Sequence, residues 1–174
     1  MNIVLTGMRG SGKSYYGRRL AKILGWGFVD TDEIVVKKAG MSIPEIVAKL
    51  GWPHFRTIEK EIIQEVANLD EHVIATGGGV IIDRENEQSL KRNGRIVLLY
   101  RTPENCANYV FNGYKHKERP ALTDRDISDP AALEAELSEL WTDREKRYRE
   151  SADLIIDTNK ETPPEEILEK LQEI

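Results

Sequence analysis

Short apolar runs recur along the chain, and each is followed by a loop or a polar turn. They lie at residues 3–5, 28–29, 73–75, 96–99 and 154–156. Brief, unbroken runs of this kind are typical of strands that are buried on both faces of a parallel sheet. The pattern therefore predicts five buried parallel strands.

Longer stretches with helical spacing separate these runs. Their apolar residues recur every three or four positions at Tyr16, Leu20 and Leu24, at Ile58, Ile62 and Val66, and at Leu133, Leu137 and Leu140. This spacing places the apolar side chains on one face of a helix. Because strands and helices alternate, we predict an α/β three-layer sandwich with a central five-stranded parallel sheet.

Composition bounds the organisation of the chain. With 174 residues and no linker or repeat, the chain is expected to form a single domain over 1–174. The net charge of −5 argues against nucleic-acid or membrane partners, and no apolar stretch approaches the length of a membrane span. The lone Cys106 suits a reducing compartment. We expect a cytoplasmic monomer.

The strongest motif is GMRGSGKS at residues 7–14, which follows the first predicted strand and precedes a predicted helix. Its glycines allow backbone N–H groups to turn towards phosphate oxygens, and the helix start adds a positive dipole end. Lys13 should reach the β- and γ-phosphates, and the Ser14 hydroxyl should ligate Mg²⁺. A chance glycine-rich turn is the alternative, but the strand and helix on either side favour a P-loop NTPase type of fold that binds the phosphates of a nucleotide.

Two carboxylates follow the second predicted strand, in the segment Asp30-Thr31-Asp32. Ligands of open α/β sheets bind at the carboxyl ends of the strands. One carboxylate could hold Mg²⁺ and the other could orient an attacking hydroxyl or accept its proton. Alternatively, Thr31 or Asp32 could simply cap the helix that follows. The segment alone leaves both interpretations open.

Two further features are ambiguous when taken singly. Arg56 and Glu59 share one helix face, where such a pair is usually a solvated ion pair. Gly77-Gly78-Gly79 follows the third strand and would permit a close approach of backbone to a ligand, or form no more than a flexible turn. Residues 112–130 carry many charges and little apolar periodicity, and we predict a mobile lid there.

Read together, the motifs resemble those of shikimate kinases over nearly the whole chain, from residue 3 to about 171. The resemblance rests on the phosphate loop, Asp30-Thr31-Asp32, Phe55-Arg56-x-x-Glu59, Thr76-Gly77-Gly78-Gly79, Arg119-Pro120, Arg144-x-x-x-Tyr148 and the closing segment 152–158. It implies transfer of the γ-phosphate of ATP to the 3-hydroxyl of shikimate, a step of chorismate and aromatic amino-acid biosynthesis, with Mg²⁺ as cofactor.

The resemblance also implies roles for individual residues. The catalytic residues would be Lys13, Asp32 and the lid arginine Arg119. Those that bind ATP would be Gly10, Ser11, Gly12, Lys13, Ser14, Arg119 and Lys160. Shikimate would contact Asp32, Arg56, Gly77, Gly78, Gly79 and Arg144, with the acid bound partly by a helical region over about 31–66. Ser14 and Asp30 would face the metal, and Glu59 would orient Arg56.

The chain departs from the family pattern on the adenine side. Members often carry an arginine seven or eight residues before the lid arginine, where this chain has Phe111 and Asn112. Phe111 or Tyr114 could stack on the base instead, and the loop over 157–163, which includes Lys160, resembles the family's other adenine wall.

Two other classes of function remain. One is a different small-molecule kinase, such as a gluconate kinase or a nucleoside monophosphate kinase, although paired Arg56 and Arg144 suit a small carboxylate better. The other is a non-catalytic P-loop module that only binds its partners. A panel of acceptors separates one kinase from another, and acid-dependent ATP turnover separates an enzyme from a module.

Overall fold

The computed structural model describes residues 1–112 and 129–174. The strands are β1 (Asn2–Thr6), β2 (Gly27–Asp30), β3 (His72–Ala75), β4 (Gly94–Tyr100) and β5 (Leu154–Asp157). They form one sheet in the order β2-β3-β1-β4-β5, and every neighbouring pair is parallel. The predicted five-stranded parallel sheet is confirmed, with each apolar run inside a strand.

The helices are α1 (Lys13–Leu24), α2 (Thr31–Ala39), α3 (Ile43–Val66), α4 (Arg84–Lys91), α5 (Pro103–Asn112), α6 (Pro130–Ser151) and α7 (Pro164–Gln172). A short 3-10 helix covers Val80–Ile82. Local sequence explains several starts, because Ser42 and Glu45 form a reciprocal capping box at α3 and Asp129 caps α6. Gly51, with φ 80°, interrupts α3 and kinks it.

Two apolar layers cover the sheet, one on each face. Along β1, Val4 packs with residues of α3 and α6, whereas Ile3 and Leu5 pack with residues of α1 and α7. Side chains of successive strand residues point to opposite faces, so burial on both faces requires an unbroken apolar run. The three-layer sandwich is confirmed. No helix among residues 1–112 and 129–174 has the length and apolar character that crossing a bilayer demands.

The carboxyl edge of this parallel sheet gathers the predicted site. The phosphate loop leaves β1, Asp30 ends β2, and Gly77 lies just beyond β3. Ligands of open α/β sheets bind at this edge, where the strand order reverses. Of the predicted lid at 112–130, residues 113–128, which include Tyr114 and Arg119, lie outside the described residues.

Candidate active site

The phosphate loop needs its glycines for both conformation and space. Gly7, Gly10 and Gly12 have φ angles of 138°, 83° and 98°, in the region that side chains rarely adopt. A Cβ atom on Gly7 would lie 2.5 Å from the Leu99 carbonyl oxygen, and one on Gly10 would lie 2.6 Å from that of Cys106. The loop is therefore held tightly against β4 and α5.

Lys13 begins α1 and turns back over this loop. Its Nζ donates to the carbonyl oxygens of Gly7 at 2.9 Å and Met8 at 2.8 Å, and the side chain is largely buried. These bonds fix the ammonium group beside the N-terminus of the helix. Two positive features, the ammonium and the helix dipole, thus meet where phosphates would lie.

Ser14 and Asp30, the residues predicted for the metal, contact each other. The Ser14 hydroxyl donates to Asp30 Oδ2 at 2.6 Å, and Asp30 Oδ1 accepts from the backbone N–H of Asp32 at 3.0 Å. Asp30 is thus the N-cap of α2, and the alternative in which Thr31 or Asp32 caps this helix is wrong. The Thr31 hydroxyl instead accepts from the Gly77 N–H at 3.0 Å. Capping and ligand binding are compatible here, because a carboxylate has lone pairs for both.

The pair Ser14 and Asp30 fits Mg²⁺ in particular. Mg²⁺ in phosphoryl-transfer sites takes one or two protein oxygens and completes its shell with phosphate oxygens and water. A hydroxyl and a carboxylate beside the phosphate loop are such a donor set. Within residues 1–112 and 129–174, no group of three or more His, Cys, Asp or Glu side chains could form an all-protein metal cage.

A cavity opens next to the phosphate loop. Its polar lining comes from Arg9, Asp32, Arg56, Glu59, Gly77, Gly78, Gly79, Arg144 and Tyr148. Its apolar lining comes from Met8, Ile43, Trp52, Phe55, Leu137 and Leu140. All the residues predicted to bind the acid therefore line this one cavity, although they come from four separate segments of the chain. We call it the acid cavity.

The ion pair between Arg56 and Glu59 is buried on its acidic side. Arg56 Nη1 lies 2.5 Å from Glu59 Oε2, and the Glu59 side chain is only 3% exposed. Burial raises the pKa of Glu59, and the neighbouring charge of Arg56 opposes that rise. The alternative of a fully solvated pair is wrong, because Glu59 is buried next to Gly77, although Arg56 stays 38% exposed.

The glycine triplet gives close access to these charges. A Cβ atom on Gly77 would lie 2.8 Å from Asp32 Oδ1 and 2.9 Å from Glu59 Oε1. One on Gly79 would lie 2.5 Å from the Arg56 guanidinium nitrogens. Side chains at Gly77 and Gly79 would displace the charged groups, so glycine provides space at these two positions and the triplet is more than a flexible turn.

Comparison with known proteins decides the family. The family model described as shikimate kinase matches residues 9–174. The chain belongs to the shikimate kinase family. A shikimate kinase of Caldanaerobacter subterraneus is 42% identical over 170 residues, which are 98% of this chain and 93% of that protein. One from Pseudomonas syringae is 40% identical, with 99% of this chain and 97% of that protein covered.

Solved structures of the family agree. The shikimate kinase of Acinetobacter baumannii in complex with shikimate superposes with a TM-score of 0.85 at 35% identity, covering 99% of this chain and 90% of that one. That of Bacteroides thetaiotaomicron also gives 0.85, at 26% identity, covering 99% of this chain and 97% of that one. The fold of this shikimate kinase family member is thus that of its solved relatives.

Three arginine and tyrosine side chains at the site were not assigned roles from the sequence. Arg101, directly after β4, donates to the carbonyl oxygens of Gly10 and Thr158, both at 2.9 Å, and ties the phosphate loop to the loop after β5. Its place at the carboxyl end of a strand was an available signal. Arg9 lines the acid cavity from within the phosphate loop, and Tyr148 lines it from α6. A helix-face pattern alone does not separate Tyr148 from a core residue.

The predicted adenine side is only partly described. Thr158 donates from its hydroxyl to the Ser11 carbonyl oxygen at 3.1 Å, so the loop after β5 contacts the phosphate loop, and Lys160 lies exposed on it. Phe111 packs against the core cluster from α5.

Cys106 is buried on α5, where desolvation raises its pKa to about 12 and keeps the thiol protonated.

Proposed function

We propose that this protein transfers the γ-phosphate of ATP to the 3-hydroxyl of shikimate, giving shikimate 3-phosphate and ADP. One observation carries the proposal: a cavity lined by three arginines and two carboxylates adjoins a phosphate loop at the same sheet edge. An acidic ring with hydroxyl groups matches that cavity. Such a reaction would serve the biosynthesis of aromatic amino acids.

On the nucleotide side, the chain supplies backbone donors and an ammonium group that is held in place. Backbone N–H groups of Gly10, Ser11 and Gly12 would surround the phosphates, and Lys13 would add its charge. Because the Lys13 ammonium is already bonded to two loop carbonyls, little reorganisation is needed when phosphates arrive. Preorganised charge of this kind stabilises the transferring group in a loose transition state.

Ser14 and Asp30 are the residues proposed to hold Mg²⁺. The bound ion would neutralise charge on the β- and γ-phosphate oxygens. The hydrogen bond to Asp30 directs the Ser14 proton towards the carboxylate and leaves the hydroxyl lone pairs available. The cap contact with Asp32 fixes the Asp30 carboxylate at the start of α2.

On the acid side, charge and geometry together select a small carboxylic acid. Arg56 and Arg144 would each offer parallel donors to the carboxylate. Glu59 holds the Arg56 guanidinium in place, at 2.5 Å. Asp32 would accept hydrogen bonds from ring hydroxyls and orient the attacking one, and alignment should matter more than base strength in this reaction.

Further parts of the proposal rest on the sequence. Arg119 would place its charge over the phosphates from a lid at 112–130, and Lys160 would contact the nucleotide. We also propose that the chain works as a single domain, as a monomer and in the cytoplasm.

The test is ADP release in a coupled assay with ATP and Mg²⁺, comparing shikimate, quinate, gluconate and AMP as acceptors. Turnover is expected with shikimate and is expected to fall by about 100-fold or more in kcat/KM in Arg56→Ala, because a charged bidentate contact is lost. Arg18→Ala is the matched control. It removes an arginine that is also paired with a glutamate, Glu33, on the exposed surface.

Turnover with gluconate or AMP in place of shikimate would overturn the substrate. Nucleotide binding without turnover of any acceptor would overturn the enzymatic reaction itself and leave a binding module.

A further inference from the structure

The glycine loop after β3 comprises residues 77–81, and each of its backbone carbonyl groups accepts a hydrogen bond from within the protein. The Gly77 and Gly79 oxygens accept from the N–H groups of Val80 and Ile82, both at 3.2 Å. The remaining carbonyls accept from side chains: that of Val80 from Asn86 at 3.2 Å, that of Ile81 from Arg147 at 3.3 Å, and that of Gly78 from the Tyr148 hydroxyl. Five consecutive carbonyls thus have donors.

The N–H groups of the same loop divide differently. That of Gly77 donates to Thr31, whereas those of Gly78 and Gly79 have no acceptor among residues 1–112 and 129–174. Both glycines line the acid cavity. Two N–H groups are therefore available to a ligand on the loop where the acid is proposed to bind.

Tyr148 determines the orientation of one of them. The Gly78 carbonyl and the Gly79 N–H belong to a single planar trans peptide, in which they point in opposite directions. A hydroxyl that fixes the carbonyl therefore fixes the N–H as well. Peptides between glycines rotate easily because neither residue has a Cβ atom, so an external bond is needed to hold one orientation.

The surroundings of Tyr148 suit this task. The side chain is 1% exposed, and its ring stacks on Trp141 with centroids 5.8 Å apart and planes 17° apart. Burial raises its pKa to about 12, a rise that the charge of Arg144 opposes, so the hydroxyl keeps its proton at neutral pH and can donate. Tyr148 also lies one helical turn after Arg144 on α6.

We propose that Tyr148 is a positioning residue for the acid substrate. Its hydroxyl fixes the peptide between Gly78 and Gly79 relative to Arg144, which lies with Tyr148 on α6. The inference rests on the proposed function and extends it. Without the hydroxyl, the half-buried Gly78 carbonyl loses its donor, and the peptide is expected to rotate towards another partner. The Gly79 N–H would then be misdirected while the fold stays intact.

The test compares Tyr148→Phe with wild type in the coupled assay and in calorimetric titration with shikimate. The shikimate KM and Kd are expected to rise about 5- to 10-fold, as for one lost buried hydrogen bond. The values of kcat and of the ATP KM should stay within about 2-fold, because only binding of the acid is altered. The Tm should fall by no more than a few degrees.

Tyr16→Phe is the matched control. Tyr16 is equally buried, and its hydroxyl also bonds to backbone, accepting from the Thr162 N–H at 3.3 Å, but it lies on α1 away from the acid cavity. Its shikimate KM should equal that of wild type. Trp141→Phe, which loosens the stack under Tyr148, is a second variant and should raise the shikimate KM about 2- to 3-fold.

Three outcomes are separable. If wild type does not phosphorylate shikimate, the proposed function fails before Tyr148 is tested. If wild type is active but Tyr148→Phe and Trp141→Phe keep the wild-type shikimate KM and Kd, the positioning role is overturned. It is also overturned if the KM values for ATP and shikimate rise together with a large drop in Tm, since that result indicates a general core residue.

Discussion

The two halves of the site are built in different ways. The phosphate side is a contiguous stretch, residues 7–14, whose backbone and one lysine converge through the geometry of its glycines. The acid side is assembled from α2, α3, the glycine loop and α6, and its charged side chains come from separate segments of the chain. In the proposed function, a general ligand, phosphate, would be bound by a local motif, whereas a particular acid would require side chains brought together by long-range packing.

The largest expected effect separates the halves at Lys13. Lys13→Ala should lower kcat by about 1000-fold, because a preorganised charge at the transferring phosphate is lost. The Kd for shikimate, measured by calorimetry without nucleotide, should change by no more than about 2-fold, since Lys13 does not line the acid cavity. A parallel loss of shikimate binding would show that the two halves form one unit.

A methyl group at Gly79 tests the acid side by space alone. Gly79 has φ −96°, so alanine is not strained there, but its Cβ would lie 2.5 Å from the Arg56 guanidinium. We expect Gly79→Ala to displace that group and raise the shikimate KM by about 30-fold, with little change in Tm or in the ATP KM. Steady-state kinetics with each substrate varied in turn provides the measurement.

Gly78→Ala is the comparison for this change. Its added Cβ would meet its nearest atoms at 3.5 Å or more, which is ordinary contact. Its effect on the shikimate KM should be clearly smaller. Equal effects of the two alanines would mean that loop flexibility, not the space beside Arg56, is what matters.

Glu59→Gln tests the buried charge on the acid side. Losing the ionic partner of Arg56 should raise the shikimate KM by about 10-fold. Burial raises the pKa of Glu59 above its ordinary 4.5, so the folded state holds the proton more tightly than the unfolded chain does. The contribution of Glu59 to stability is then fully present below pH 4.5 and is lost as pH rises through the folded pKa.

Urea unfolding of wild type and Glu59→Gln at several pH values checks the sign. As pH rises above 4.5, the free energy of unfolding of the variant should increase relative to that of wild type. A variant that instead loses ground towards neutral pH would show that the ion pair with Arg56 outweighs burial. Glu33→Gln, which alters the exposed pair with Arg18, should leave the pH dependence unchanged.

The features that could be predicted from the sequence are those set by local motifs, and the features that could not are those set by long-range packing. Apolar runs and the glycine pattern locate the phosphate loop and every strand found in residues 1–112 and 129–174, because these depend on near neighbours in the chain. The burial of Glu59 could not be predicted from helical spacing, since it involves the glycine loop from another segment of the chain. Asp30 was predicted to face the metal, and its role as N-cap of α2 was missed. Its two carboxylate oxygens accept from different donors, the Ser14 hydroxyl and the Asp32 N–H.

The smallest expected effect concerns a contact between loops on the phosphate side. Thr158→Val keeps the shape of a buried side chain and removes its hydroxyl, whose single proton is shared between the Ser11 carbonyl oxygen at 3.1 Å and the Tyr100 carbonyl oxygen at 2.9 Å. The ATP KM should rise about 3-fold and the Tm should fall a few degrees, as for one net hydrogen bond. The shikimate KM should not change.

The control for this loss is Thr142→Val, which removes an exposed hydroxyl that donates to the Ser138 carbonyl oxygen at 2.9 Å on α6. It should alter neither KM, because water replaces the lost donor. A rise in the shikimate KM of Thr158→Val would contradict the division between the halves. It would mean that the phosphate loop transmits strain from the loop after β5 into the acid cavity, which Met8 and Arg9 of the phosphate loop both line.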